Sequence, residues 1–293
     1  MRNAVLFNII LALGIVAYEA ARPYSRAPCR YVLVSVNKDF MNGMFQNWFR
    51  SAKPFLDGNQ LLIEVDRTDS EARERLAEMK AELGTAQLIS ASEILPTVTG
   101  KERERERDRQ TGEHNSLLQK TDVLWDFLSP EYRQMMSRRV PLIQHYVQQC
   151  SVLHVDVDAV WIKDPFPAIE EAADHDFIGV SDSCRPGPPD MQDDSKYFCG
   201  CFMLFNPSSK WGSFFDQWSV ATFEAGGNEQ RGLGKTLKSR SDVSVAWLPY
   251  KQFPPGCEML ASPGNSSDAA VIHANYMIGM DNKIAFFKSL GLW

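Results

Sequence analysis

Along the chain, short apolar runs rich in β-branched residues alternate with longer amphipathic or polar stretches. Tyr31–Val36 and Leu61–Val65 read as strands and Gln87–Ser90 as a third. Between them, the segment through Phe45–Arg50 and the stretch Ser70–Leu83, rich in Ala, Glu, Lys and Arg with Glu71 in its first turn, read as helices. Strand, helix, strand, helix, strand predicts the opening of a parallel, doubly wound sheet. Ser116–Gln149 is helical in pattern, with breaks expected at Ser129-Pro130 and near Pro141. Further strands are predicted at Val152–Val155, Asp176–Asp182, Phe198–Pro207, Val243–Leu248 and Ala270–His273. Lys210–Glu224 reads as a helix whose Trp211, Phe214, Phe215 and Trp218 repeat at helical intervals, as core residues do. Glu229-Gln230 opens another helix after Gly226-Gly227-Asn228, and a last helix runs to Trp293. The whole predicts one α/β domain over residues 30–293.

Composition changes this picture little. The chain has 293 residues, 44% apolar and 11% aromatic, enough to bury a full core. A net charge of -6 supplies no basic face, so nucleic acid is not an expected partner. Lys101–Arg109 is a run of charges of nearly alternating sign, read as a solvated insert spanning about residues 100–112. Cys184–Tyr197, rich in Pro, Gly and Asp, reads as a loop.

The amino terminus reads as an addressing signal, against the alternative of a buried strand or helix of the soluble fold. After Arg2, Ala4–Tyr18 holds no charge, which fits a signal anchor or signal peptide over residues 1–22, followed by a short stem at 23–29. No small-x-small cleavage site follows, so an uncleaved type II membrane anchor is favoured. That places the rest of the chain in the secretory lumen, where six cysteines, Cys29, Cys150, Cys184, Cys199, Cys201 and Cys257, meet oxidising conditions in an order that sequence leaves open. Asn265-Ser-Ser267 is a glycosylation sequon compatible with a luminal loop.

The chemistry centres on Val155-Asp-Val-Asp-Ala-Val-Trp-Ile-Lys-Asp-Pro-Phe166. A buried strand ends on Asp156 and Asp158, hard oxygen donors that suit Mg²⁺ or Mn²⁺ and, through the ion, a diphosphate. Alternate residues of an extended chain point to opposite sides, so a bend is required before both carboxylates reach one ligand. Far downstream, the strand ending at His273 is followed by Asn275, Gly279 and Lys283. A neutral imidazole is a good Mn²⁺ ligand, and a lysine neutralises a leaving diphosphate.

The Asp-x-Asp stretch, with its following Val-Trp and Asp-Pro-Phe, resembles that of the nucleotide-diphospho-sugar transferases of glycosyltransferase family 77. The small-residue-then-aromatic strand Phe198-Cys-Gly-Cys-Phe and the closing His-x-Asn-x-x-x-Gly-x-x-x-Lys spacing resemble the same family. The resemblance implies a GT-A, Rossmann-like fold, a mostly parallel sheet flanked by helices. It implies Asp156, Asp158 and His273 as metal ligands for Mn²⁺ or Mg²⁺, and Asn37, Arg139, Asp156, Gly279 and Lys283 as residues that meet the UDP-sugar donor. Asp182, Glu229 and Gln230 are then expected to orient sugar and acceptor, Glu229 standing where the family usually has Asp. Gly200 is expected to let the backbone approach the donor. The implied activity is a metal-dependent, retaining transfer from a UDP-sugar to a glycan or glycoprotein hydroxyl on the luminal side of Golgi membranes.

Two other classes compete. A non-catalytic glycan- or protein-binding module on a degenerate transferase fold predicts a lost metal triad, whereas all three residues are present. A phosphohydrolase or nucleotidyltransferase predicts further ligands for a second metal or a Gly-rich phosphate loop after the first strand, and Asn37–Gly43 is not such a loop.

Overall fold

The computed structural model describes residues 29–41, 43–94, 130–184, 198–262 and 267–293, without the side chains of 130–134 and 137. The expected anchor, the stem up to Pro28, the charged insert, most of the Pro-rich loop and Asn265 lie outside the described residues.

Nine strands are present among these residues: β1 Arg30–Val36, β2 Gln60–Val65, β3 Gln87–Ile89, β4 Ser151–Val155, β5 Ala159–Trp161, β6 Phe177–Ser181, β7 Phe198–Phe205, β8 Val245–Trp247 and β9 Val271–His273. The helices are α1 Met44–Ala52, α2 Ser70–Glu78, α3 Lys80–Leu83, α4 Ala91–Ile94, α5 Pro130–Val147, α6 Phe166–Glu171, α7 Trp211–Glu224, α8 Glu229–Ser239, α9 Gly256–Ala261 and α10 Met280–Ser289. Seven strands form one sheet in the order β3-β2-β1-β4-β7-β6-β8, and β5 pairs with β9 in a small second sheet. β3, β2, β1 and β4 are parallel neighbours, while β7 runs antiparallel between β4 and β6. This is the mixed, mostly parallel GT-A architecture.

Both faces of the sheet are covered, which is why β1, β4 and β7 are buried nearly throughout, without alternation. On one face Val140, Ile143, Trp211, Phe214, Trp218 and Leu233 of α5, α7 and α8 bury against Leu33, Val152 and Phe205. Trp211, Phe214, Phe215 and Trp218 of α7 are thus core, as their spacing predicts, while Phe223 on the same helix is exposed. On the other face Phe45 and Trp48 of α1 meet Val34, Trp161, Phe202 and Phe287.

Local chemistry explains where elements begin. Asp69 caps α2 by accepting from the Ala72 N–H at 3.0 Å, and Asn228 caps α8 by accepting from the Arg231 N–H at 2.9 Å. The stretch predicted as one helix over Ser70–Leu83 is two, divided at Met79, whose φ and ψ of -80° and 0° lie outside the helical region. The break expected near Pro141 is absent: α5 passes through it. An interior proline costs roughly 3 kcal/mol. Val140, Leu142 and Ile143 are at most 2% exposed, and each such buried side chain contributes roughly 1.5–3 kcal/mol, which outweighs that cost.

Three disulfides are formed. Cys29–Cys150 ties the entries of the neighbouring strands β1 and β4, and Cys184–Cys257 ties the segment after β6 to α9. Cys199–Cys201 lies within β7. No helix among the described residues is long and apolar enough to cross a membrane.

Candidate metal and nucleotide-sugar site

β4 delivers the first two carboxylates. The strand is buried throughout and ends in a turn at Asp156-Val157-Asp158, closed by the Ala159 N–H on the Asp156 carbonyl at 3.0 Å. The Asp156 N–H donates to the Cys201 carbonyl at 2.8 Å, and Val157 is buried, so the turn is held from both sides. This is the bend the two carboxylates require.

The chain then leaves as β5, which pairs antiparallel with β9 so that Ala159 lies opposite His273. The Ala274 N–H donates to the Asp158 carbonyl at 3.0 Å. Residues more than a hundred positions apart are thereby brought face to face. Ligand atoms of Asp156, Asp158 and His273 all lie within 4.8 Å of one another. Two hard carboxylate donors and one imidazole are a donor set that fits Mn²⁺ or Mg²⁺.

Cations already gather here. Lys283 Nζ is 2.6 Å from Asp158 Oδ2, and His273 Nε2 is 3.3 Å from Asp158 Oδ1. Lys283 reaches in from the first turn of α10, just after Gly279, whose φ of 83° is a conformation open to glycine. Arg139 of α5 donates through Nη2 to Asp156 Oδ1 at 2.7 Å and through Nη1 to Glu229 Oε1 at 2.8 Å. It is 2% exposed, so it is a buried bridge and not a surface charge. The Gly200 carbonyl also accepts from Nη1, at 3.2 Å.

Gly200 is also constrained by its protein neighbours. A Cβ there would stand 3.0 Å from Arg139 Nη1 and 3.1 Å from Glu229 Oε1, so the missing side chain makes room for that ion pair. Gln230 completes the arrangement. Its Oε1 accepts from the Gly200 N–H at 2.9 Å and its Nε2 donates to Asp182 Oδ2 at 3.0 Å. Asp182 Oδ1 in turn accepts from Asn275 Nδ2 at 2.5 Å. Asp182, Glu229, Gln230, Arg139, Asp156, Asp158, His273 and Lys283 are therefore brought together as one connected cluster. Asn37 is not part of its hydrogen-bonded core: its Oδ1 accepts from the N–H groups of Asp39 and Phe40 and shapes the turn after β1.

The electrostatics differ across the cluster. Burial pushes Asp158 up, but Lys283 and His273 beside it hold the carboxyl well below the usual range. Asp156 is likewise held low by Arg139 and His154 against the effect of burial. Burial dominates at Asp182 and Glu229, and both are raised despite their hydrogen bonds and, for Glu229, the Arg139 charge. Burial pushes His273 down, but the Asp158 and Asp156 carboxylates together leave it raised.

Two participants are not singled out by the sequence motifs. His154 is fully buried and places Nε2 3.2 Å from Asp156 Oδ1; burial and Arg139 lower its pKa to about 4. Its signal was available, since residues two apart on a strand share a face. Tyr276 has a φ of 66°, the one positive value among described non-glycine residues, and its hydroxyl donates to the Asp182 carbonyl at 2.6 Å. No local pattern announces that conformation.

A GT-A sheet with a metal-competent Asp-x-Asp turn and a basic residue at hand defines a class of nucleotide-sugar proteins. The family model for nucleotide-diphospho-sugar transferases matches residues 105–287, and the chain belongs to that family. Among curated relatives, it is 28% identical over 163 residues to the UDP-D-xylose:L-fucose alpha-1,3-D-xylosyltransferase MGP4 of Arabidopsis thaliana, covering 49% of this chain and 44% of that protein. A second UDP-D-xylose:L-fucose alpha-1,3-D-xylosyltransferase of Arabidopsis thaliana is 27% identical over 164 residues, with 49% and 44% covered. The match thus spans less than half the length of these relatives. These matches bear out the resemblance to glycosyltransferase family 77. Among solved structures, the apo WbbM bifunctional glycosyltransferase superposes with a TM-score of 0.54 at 12% identity, covering 91% of this chain and 50% of that one, a likeness of fold alone.

Proposed function

We propose that this chain is a divalent-metal-dependent glycosyltransferase that moves a sugar from a UDP-sugar to a glycan or glycoprotein hydroxyl, with retention at the transferred carbon. The convergence of Asp156, Asp158 and His273 at the end of β4 carries this reading. Ligands of open α/β sheets bind outside the carboxyl ends of the strands, which is where the cluster lies. The names of the relatives favour UDP-xylose as donor and a fucose-bearing glycan as acceptor.

A bound Mn²⁺ or Mg²⁺ supplies Lewis-acid stabilisation of the charge that develops on the departing UDP. Asp156 and Asp158, kept anionic by their cationic neighbours, and the imidazole of His273 would hold it. Lys283 adds a positive charge at the same place, suited to the diphosphate. Arg139 fixes Asp156 from behind, and Glu229 fixes Arg139. Asp182 and Gln230, locked to each other and to Asn275, would orient sugar and acceptor hydroxyl. No carboxylate is assigned as a nucleophile, so the reading is a same-face displacement. Residues 30–293 would form the catalytic domain, in the Golgi lumen behind a type II anchor at 1–22. Three disulfides support an oxidising compartment.

The test is UDP release by the chain purified from a secretory host, across a panel of UDP-sugars, with and without Mn²⁺. Metal-dependent release from one sugar is expected. No release from any, together with no metal-dependent thermal shift by UDP, overturns the proposal in favour of a binding module.

A further inference from the structure

Cys199 and Cys201 stand two residues apart on β7, so both side chains leave the same face. Their disulfide spans a separation of 2, against 121 and 73 for the other two. Loop-closure entropy grows with the logarithm of loop length, so among the three crosslinks this one adds least to stability by that route. Its position points elsewhere. Cys199 Sγ lies 3.3 Å from His273 Nδ1, while His273 Nε2 lies 3.3 Å from Asp158 Oδ1. One imidazole thus faces two ligand sets, Cys199 with Cys201 on one side and Asp156 with Asp158 on the other. Within each set, His273 included, the ligand atoms lie within 4.8 Å of one another.

We propose that the dithiol form of Cys199 and Cys201 binds Zn²⁺ together with His273, and that thiol–disulfide exchange with a disulfide oxidant, itself reduced to its dithiol, re-forms the Cys199–Cys201 bond and returns the imidazole to the carboxylate set. Thiolates select Zn²⁺, carboxylates suit Mn²⁺ and Mg²⁺, and a disulfide sulfur is only a weak acceptor. Conversion to the dithiol takes a dithiol reductant. Its thiolate attacks one sulfur, the S–S bond breaks, two electrons and two protons pass to the cysteines, and the reductant leaves as its own disulfide. Zinc binding then displaces the two thiol protons. A neutral imidazole has one lone pair, so it serves one ion at a time. With Nδ1 on zinc, Nε2 carries the proton and faces Asp158 as a donor. The pair is at most 3% exposed, but Asp156 and His273, with side chains 29% and 13% exposed, open the same neighbourhood to solvent.

The thiol site stands on its own residues; only its effect on the carboxylate site rests on the metal reading above. The test compares the disulfide form with the dithiothreitol-reduced chain, exchanged anaerobically out of reductant. Zn²⁺ is titrated, and Co²⁺ serves as the spectroscopic probe for thiolate-to-metal charge transfer. Reduced wild type is expected to take up Zn²⁺ at least about tenfold more tightly than the reduced Cys199→Ser/Cys201→Ser variant and than reduced His273→Ala. The four remaining cysteines are common to all three, so they cancel in the comparison. Cys201→Ser alone gives the same reading if the double variant fails to fold. Equal zinc affinity in wild type and variants overturns the thiol site. Mn²⁺ binding, followed by its electron spin resonance, is expected to weaken in the zinc-loaded form and recover on oxidation. Unchanged Mn²⁺ affinity overturns the shared imidazole. Failure of Mn²⁺ to bind either form, with zinc still bound, overturns the carboxylate reading and leaves the thiol site intact.

Discussion

Four carboxylates share one cluster, yet their surroundings divide them into two pairs. Asp156 and Asp158 sit at a strand end with Arg139, His273 and Lys283 against them, and both are pulled below the ordinary range despite burial. Asp182 and Glu229 are raised by burial; Asp182 is held by the amides of Gln230 and Asn275, and Glu229 shares Arg139 with Asp156, whose charge repels it. The contrast teaches that burial pushes every one of these carboxyls up, and that the direction of the net shift is set by whether cationic partners outweigh it. One pair is kept anionic, ready for a cation. The other has its proton affinity raised by burial.

Breaking the anionic pair should have the largest effect. Asp158→Ala removes a proposed metal ligand and takes the shared carboxylate away from Lys283 and His273. Metal-dependent UDP release is expected to fall roughly a thousandfold, several kcal/mol at the transition state, while the fold is kept. Retained release at the wild-type rate would detach Asp158 from the chemistry.

The bridge between the pairs is next. Arg139→Met leaves Asp156 and Glu229 without their shared cation, and removal of one partner from a buried ion pair costs roughly 3–5 kcal/mol. Urea denaturation of wild type and variant measures it. A cost below about 1 kcal/mol, the range of surface pairs, would deny the bridge its role.

Glu229→Gln sharpens the comparison through pH. A carboxyl with a raised folded pKa binds its proton more tightly when folded, so its contribution is fullest below the unfolded value and is lost as pH rises through the folded one. The stability of the variant relative to wild type should therefore rise with pH from acid toward neutrality, with a slope of at most about 1.4 kcal/mol per pH unit. A flat or falling difference would contradict the assigned direction.

Asp176 is the control outside the site, and the smallest effect. It accepts from Lys210 Nζ at 2.5 Å and from the Ser244 N–H and hydroxyl at 2.8 Å each, and although burial works against it these bonds lower its pKa to about 2. Its contribution is full above the unfolded value near ~4 and lost as pH falls toward about 2. Asp176→Asn should cost about 1 kcal/mol at neutral pH after solvent screening, and the difference should vanish in acid. Thermal melts across that window check it.

The legible parts of the molecule are those whose cause is local. Apolar runs located eight of the nine strands directly, and the ninth, β5, lies within the Val160-Trp161-Ile162 run that follows the Asp-x-Asp turn. Helical spacing marked Trp211, Phe214, Phe215 and Trp218 of α7 as core, whereas His154, two residues before Asp156, was passed over. Asp156, Asp158, His273 and Lys283 were visible because two carboxylates close one apolar run and a His, followed ten residues later by a Lys, closes another. The sequence alone therefore determined the layer architecture and the residue types that meet at the strand ends.

Tertiary structure decided their partners. The β5–β9 pairing set His273 against Asp158, insertion of β7 between β4 and β6 put Gly200 beneath Arg139, and the Asn228 cap started α8 where Glu229 meets that guanidinium. It also chose the cysteine pairs and drew Leu292 onto Asn47, 245 residues away, by a 2.9 Å hydrogen bond. Periodicity records which side of an element faces the core. It carries no information on which distant element will cover that side, because that choice is settled by packing and by satisfying buried charge across the whole sheet.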